Sequence, residues 1–243
     1  IRQAYGNASG TNRECSGAAE EYASMVDKLD RQVGAIVDQV RKLGLDKRTI
    51  IIFSSDNGHE LYYRTDKGRG RGPDCHGGVL DGTGELLDVF RGSRGRVGPN
   101  NAMANLAGLK WTSHEGGIRV PLIISWPGTL PHGKVCHSLV ANYDHMASFA
   151  DLAGIRMPEG KDAVSYMDIL SGNSSRQRDY VVVDHTVITG DGWKLTQKQN
   201  KPFLFHIGRD PEERNNLAGT RKDQLEKLRA IYRKEVGSPR KDR

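Results

Sequence analysis

The run Thr49-Ile50-Ile51-Ile52-Phe53-Ser54-Ser55-Asp56-Asn57-Gly58-His59-Glu60 constrains the fold of this chain more than any other stretch. A β-branched and aromatic segment without polar alternation ends abruptly in Ser-Ser, a carboxylate, an amide and a glycine. Such a pattern predicts a strand buried on both faces, as in a parallel sheet covered by helices. In open α/β sheets ligands bind beyond the carboxyl ends of the strands, which is where Asp56 and Asn57 stand. Both offer oxygen atoms suited to a hard cation, Ca²⁺ or Mg²⁺. Gly58 is expected to turn the chain away with φ > 0. An Asn-Gly turn capped by Asp, with no ligand, is the competing reading of the same residues.

The segment before the strand is helical by its spacing. Tyr22, Met25, Val26, Leu29, Val33, Ile36, Val37, Val40 and Leu43 recur at three- and four-residue steps and form one apolar stripe. Gly44 stands where a left-handed C-terminal cap is expected, after Arg41 and Lys42 in the last turn. Helix, short link and apolar strand predict half of a parallel α/β unit.

Residues 60–108 carry Gly-Arg-Gly-Arg-Gly, Gly-Thr-Gly and Gly-Ser-Arg-Gly-Arg and no helical or strand period. A loop of that length inside a domain is either functional or a solvated insertion. Next, Glu115-Gly116-Gly117 predicts a tight turn into an apolar run, with Pro121 placing the strand proper at Leu122. Residues 139–153 read as a helix ended by Gly154. Beyond Ser165, Val181-Val182-Val183 is a strand candidate, and Trp193–Thr196 with Phe203–Ile207 predict a hairpin. Residues 221–235 predict an amphipathic helix. The domain organisation expected is an α/β part over 1–164, including the long loop 60–108, and an α+β subdomain over 165–243.

The formal net charge of +6 favours anionic partners. Tyr62 and Tyr63 are the only nearby aromatics before the Gly-Arg-Gly-Arg-Gly cluster, too few stacking platforms to predict nucleic-acid binding. No apolar run is long enough to cross a membrane, and no membrane partner is expected. Cys15, Cys75 and Cys136 are far apart and show no metal-site spacing. The first residue, Ile1, fits a processed product or a fragment.

Taken in order, these segments resemble the sulfatases of the alkaline phosphatase superfamily, in their C-terminal half. The resemblance is carried by Val33-Gly34-Ala35-Ile36-Val37 leading to Leu43-Gly44-Leu45, and by Thr49 to Gly58. It continues in Lys110 with Glu115-Gly116-Gly117-Ile118-Arg119-Val120-Pro121, in Trp126-Pro127-Gly128 and in Asp151-Leu152-Ala153-Gly154-Ile155. Gly192-Trp193-Lys194-Leu195 and Asp210-Pro211-Glu212-Glu213 with Asn216-Leu217-Ala218 complete it. The fold implied is part of an alkaline-phosphatase-like α/β sandwich, a mostly parallel sheet between helices, followed by a small α+β subdomain of antiparallel sheet plus helix. The resemblance implies Asp56 and Asn57 as ligands of Ca²⁺, or of Mg²⁺. It implies Lys110 as a catalytic and substrate-binding contact to the sulfate group, for which an ammonium with three donors is suited. It places His59 and His114 beside the substrate; a loop histidine is the plain alternative for each. The Glu-Gly-Gly turn and the Trp193 and Asp210-Pro211 segments are read as structural.

Sulfatases of this type use a formylglycine made within Cys/Ser-x-Pro-Ser-Arg. None of the three cysteines, and no serine, starts such a motif here. The expectation is therefore the C-terminal part of a sulfatase for sulfated carbohydrates or aryl sulfates. Its nucleophile and remaining metal ligands would lie in an N-terminal half of the same enzyme, and the part alone would be inactive. A periplasmic or secreted location is implied by the resemblance. A related phosphodiesterase or phosphonate hydrolase, or a basic protein holding nucleic acid or glycan, are the alternatives.

Overall fold

A computed structural model describes residues 13–58, 64–65, 68–69, 79–80, 86–87, 106–107, 112–172, 178–198 and 201–237. Helix α1 spans Arg13–Lys42. It ends as its sequence requires: Gly44 has φ +65°, its amide bonds the Arg41 carbonyl at 2.9 Å, and the Leu45 amide bonds the Val40 carbonyl at 3.0 Å. That paired arrangement is the Schellman cap, which satisfies two carbonyls the helix leaves open. The apolar stripe of α1 is largely uncovered, with Met25, Val26, Leu29, Ile36 and Leu43 exposed.

A single 3₁₀ turn, Asp46–Arg48, leads into strand β1, Ile51–Ser54. Two-residue ladders follow: β2 (Arg64–Thr65) with β3 (Gly68–Arg69), and β4 (Val79–Leu80) with β5 (Leu86–Leu87). The rest of the long Gly/Arg-rich segment lies outside the described residues. Helix α2 is one turn, Glu115–Ile118, and β6 starts at Leu122, directly after Pro121 as the sequence predicts.

Strand β1 pairs with β6 in antiparallel register, Ile51 opposite Ser125 and Ser54 opposite Leu122. All four β1 residues are half-buried. The expectations of a parallel pairing and of full burial at this strand are thus corrected for the described residues. An unbroken apolar run reports that both faces of a strand are to be covered. It does not report the direction of its neighbour, and an antiparallel edge strand on an otherwise parallel sheet is common.

Helix α3 spans Asp144–Leu152, shorter than the helical pattern over 139–153 suggests. The Asp144 carboxylate explains the late start. It accepts from the Ala141 amide, the Val164 amide and the Arg178 guanidinium at 2.9, 2.9 and 2.7 Å, so it ties the incoming chain into a turn. Gly154 (φ +65°) closes α3 as expected. Helix α4 is the short Met167–Leu170, packed on α3.

The remaining chain forms an antiparallel sheet in the order β10-β9-β8-β7. The strands are β7 (Tyr180–Val183), β8 (Thr186–Thr189), β9 (Trp193–Lys198) and β10 (Lys201–His206). Strands β9 and β10 form the hairpin expected, and β8, with no clear sequence signal, joins it to β7. Helix α5, Lys222–Glu235, lays Leu225, Leu228 and Tyr232 on Val187, Leu195 and Leu204. Alternation along each strand sends the next residues to the other face. There the register aligns Val181, Ile188, Lys194 and Phe205 across four strands. All four are buried. A lysine therefore lies within an apolar strip.

Candidate functional site

The turn after β1 is built by its own side chains. Ser55 Oγ donates to the Asn57 carbonyl at 2.8 Å, and the Asn57 amide donates to Asp56 Oδ1 at 3.0 Å. Asn57 Nδ2 donates to the Gly58 carbonyl at 2.8 Å, which leaves Asn57 Oδ1 as an acceptor. Asp56 is exposed, and Asn142 Nδ2 reaches the Ser55 carbonyl at 3.4 Å from the segment before α3. The turn thus offers two hard oxygen donors on adjacent residues, a fit to part of a Ca²⁺ or Mg²⁺ shell, which needs six or more oxygens. Among the described residues no group of three or more His, Cys, Asp and Glu side chains stands together as a complete site.

Gly58 does not take a left-handed φ, contrary to expectation. Its requirement is contact. The Gly58 amide donates to the Gly117 carbonyl at 2.8 Å, and a Cβ on Gly58 would stand 1.9 Å from the Gly116 carbonyl oxygen. The Asp56-Asn57 turn is therefore pressed backbone to backbone against the Glu-Gly-Gly turn, which follows directly on His114. The structure brings Asp56, Asn57 and the His114 segment together. Lys110 and His59 lie outside the described residues.

The His114 side is held by an ion cluster that residue spacing alone did not reveal. His114 Nδ1 lies 2.8 Å from Glu213 Oε2, and the Glu115 amide donates to Glu213 Oε1 at 2.8 Å. Lys194 Nζ donates to Glu213 Oε1 at 2.9 Å and to Glu115 Oε1 at 3.1 Å. Lys194 and Glu213 are fully buried and Glu115 nearly so. Burial pushes the Glu213 carboxyl up; the Lys194 ammonium, the His114 ring and the Glu115 amide overcome this and hold it down at about 2. Arg119 adds a more distant cation, 3.7 Å from Glu115 Oε2. The available signal was Lys194 itself. A lysine between tryptophan and leucine in an apolar strand must find a counter-ion, and Asp210-Pro211-Glu212-Glu213 was an acidic run close behind it in sequence.

Two family descriptions match the chain. Residues 2–155 match the family description "Sulfatase", and residues 110–241 match "N-sulphoglucosamine sulphohydrolase, C-terminal". With more than half of its length covered by the first, the chain belongs to the sulfatase family. Among curated relatives it is similar to N-acetylgalactosamine-6-sulfatase of Sus scrofa, 25% identical over 86% of this chain and 41% of that protein. Among solved structures it resembles a 2-O GAG sulfatase (TM-score 0.64, 17% identity), which it matches over 95% of this chain and 45% of that one. It also resembles a protein solved in complex with its substrate D-glucosamine-2-N,6-O-disulfate (TM-score 0.59, 18% identity), over 89% of this chain and 41% of that one. The chain spans about two-fifths of the length of these relatives. The structural likenesses establish the alkaline-phosphatase-like sulfatase fold, with the antiparallel sheet and helix of its C-terminal portion.

Proposed function

We propose that these residues are the C-terminal part of a sulfatase that hydrolyses sulfate esters of saccharides. Asp56 and Asn57 supply part of a divalent-cation shell, and Lys110 contacts the sulfate. The observation that carries this reading is the Gly58–Gly117 backbone bond, which fastens the carboxylate–amide turn to the segment bearing His114. In this reading an anionic ester meets two sources of positive charge: a cation held at Asp56 and Asn57, and Lys110, which precedes His114 in the sequence.

Ca²⁺ bound there would neutralise the sulfate oxygens as charge grows on them in the transition state. The chain's own residues do the rest of what falls to this part. The Asp56 carboxylate and Asn57 Oδ1 fix the cation's position on a turn whose donors are already spent internally. Lys110 donates to the sulfate or to the departing alkoxide. His114, gripped at Nδ1 by Glu213, and His59 meet the sugar. The nucleophile, a formylglycine, and the remaining ligands come from the N-terminal half of the full-length enzyme, which acts in the periplasm or outside the cell. The saccharide class is supported by the named relatives, one an N-acetylgalactosamine-6-sulfatase and one holding a glucosamine disulfate.

The test is hydrolysis of an aryl sulfate and of sulfated mono- and disaccharides by the full-length protein, with and without chelator. Sulfate release that chelator abolishes, and that Asp56→Ala and Lys110→Ala each remove, is the expected result. Unchanged turnover in both variants overturns the site. Cleavage of phosphodiesters in preference to any sulfate ester moves the enzyme to the phosphoryl-transfer branch of its superfamily.

A further inference from the structure

The ion cluster beneath His114 joins the C-terminal sheet, through Lys194, to the segment that backs the Asp56-Asn57 turn. Glu213 engages His114 Nδ1, the Glu115 amide and Lys194 at once. Lys194 returns to the Glu115 carboxylate. One residue on, the Gly116 amide donates to the Ala107 carbonyl at 2.6 Å, while the Ala107 amide donates to the Pro211 carbonyl at 3.3 Å. Gly117 then takes the Gly58 amide. The 211–213 segment and Lys194 thereby define where the Glu-Gly-Gly turn stands, and that turn defines where Asp56 and Asn57 stand.

Two features mark this as more than a fold staple. Taking three ionised groups out of water is expensive, and apolar side chains of equal volume stabilise as well or better where only stability is required. Glu213 also holds φ +50°, a left-handed conformation that glycine or asparagine adopts more readily. A carboxylate is kept there in spite of the backbone. Resting on the sulfatase reading above, we infer that Lys194 and Glu213 are positioning residues for the cation turn: the C-terminal sheet sets the geometry with which Asp56 and Asn57 present their oxygens to Ca²⁺.

The experiment is done on the full-length enzyme, with Ca²⁺ itself as the probe. Calorimetric titration of Glu213→Gln, and of the double variant Lys194→Met/Glu213→Gln, is carried out well below their melting temperatures. A Kd for Ca²⁺ raised about tenfold is expected, the size of effect that outer partners of metal ligands produce. It comes with faster hydrogen exchange at the Gly58 amide and a fall in kcat exceeding the change in KM. A merely structural role lowers the melting temperature and leaves Kd and Gly58 exchange as in the wild type; that result overturns the inference. Asp56→Ala in the same titration separates the two levels. If it binds Ca²⁺ like the wild type, the sulfatase site as assigned is wrong. If it loses Ca²⁺ while Glu213→Gln does not, only the positioning role is wrong. The wild-type protein gives a measurement that needs no variant to fold. Coupling is reciprocal, so Ca²⁺ must raise hydrogen-exchange protection at the Lys194 and Glu213 amides. Protection there that Ca²⁺ does not alter overturns the inference as well.

Discussion

Gly58 and Gly116 approach so closely that no side chain fits between them: a Cβ on Gly58 would meet the Gly116 carbonyl oxygen at 1.9 Å. Gly58→Ala must therefore push the Asp56-Asn57 turn off the Glu-Gly-Gly turn. The overpacking is expected to destabilise the protein by about 1–3 kcal/mol. The displacement of Asp56 and Asn57 is expected to lower kcat/KM of the full-length enzyme by about a hundredfold. Denaturant titration and turnover of an aryl sulfate, compared on the same preparation, check both. Wild-type turnover in Gly58→Ala rejects the contact as the reason for glycine.

Among the described residues Lys194 is the cation that reaches both buried carboxylates; His114 touches Glu213, and Arg119, exposed, lies 3.7 Å from Glu115. Lys194→Met keeps the stem that packs beside Phe205, its register partner, and deletes the charge. Removing one partner of a buried ionic group costs about 3–5 kcal/mol. Adding Glu213→Gln takes away one of the two stranded negative charges, so the double variant is expected to be more stable than Lys194→Met alone. Urea midpoints of the four proteins in this cycle measure it; a double variant less stable than either single one contradicts the cluster's geometry.

Acid should undo the same cluster. Glu213 ionises at about 2 in the folded protein against an ordinary value of 4.5. A group whose folded pKa is depressed contributes stability that is fully present above its unfolded pKa. That contribution is lost as pH falls toward the folded value, here between roughly 4.5 and 2. Stability measured against pH is expected to drop across that window in the wild type, and the drop is expected to be shallower in Glu213→Gln. Superimposable profiles would assign the acid sensitivity to other carboxylates.

Asp184 opens the two-residue connection of β7 and β8 with φ +51°. It is exposed, and its ion contact to His185 is a long 3.5 Å. Glycine is the favoured residue where such a loop needs a positive φ. Asp184→Gly relieves a left-handed backbone worth about 1–2 kcal/mol against an added chain entropy of about 0.5–1 kcal/mol, so it is expected to raise stability by about 0.5 kcal/mol and to leave any activity of the full-length enzyme unchanged. A lowered melting temperature would show that the Asp184 side chain matters more than its backbone.

Local chemistry was legible in the sequence, and long-range pairing was not. The glycines at 44 and 154 announced their helix ends because a left-handed cap leaves few residue choices. Pro121 announced the start of β6. The turn at Asp56 and Asn57 was visible as a turn because its bonds run between neighbours in sequence. The antiparallel partner of β1 comes from far along the chain, and side-chain pattern is blind to strand direction. The short helix α3 was overextended because Leu139 and Val140 are apolar, whereas the turn before it is dictated by Asp144 reaching Ala141 and Val164. The reason for glycine at 58 was misplaced for the same cause. A tight turn can be seen in a dipeptide, but a backbone arriving from position 116 cannot. Glu213 and His114 are 99 residues apart, and nothing in either segment alone announces that they meet.

The lysine on β9 holds one carboxylate from each side of the junction, Glu115 from the turn behind Asp56 and Asn57 and Glu213 from the loop after the sheet. Neither region can be exchanged for its counterpart from another sulfatase unless the donor brings matching ionic partners. A chimera joined between β6 and β7 that mismatched them would inherit an orphaned charge in a dry interior, and would fail at that seam however well its strands were spliced.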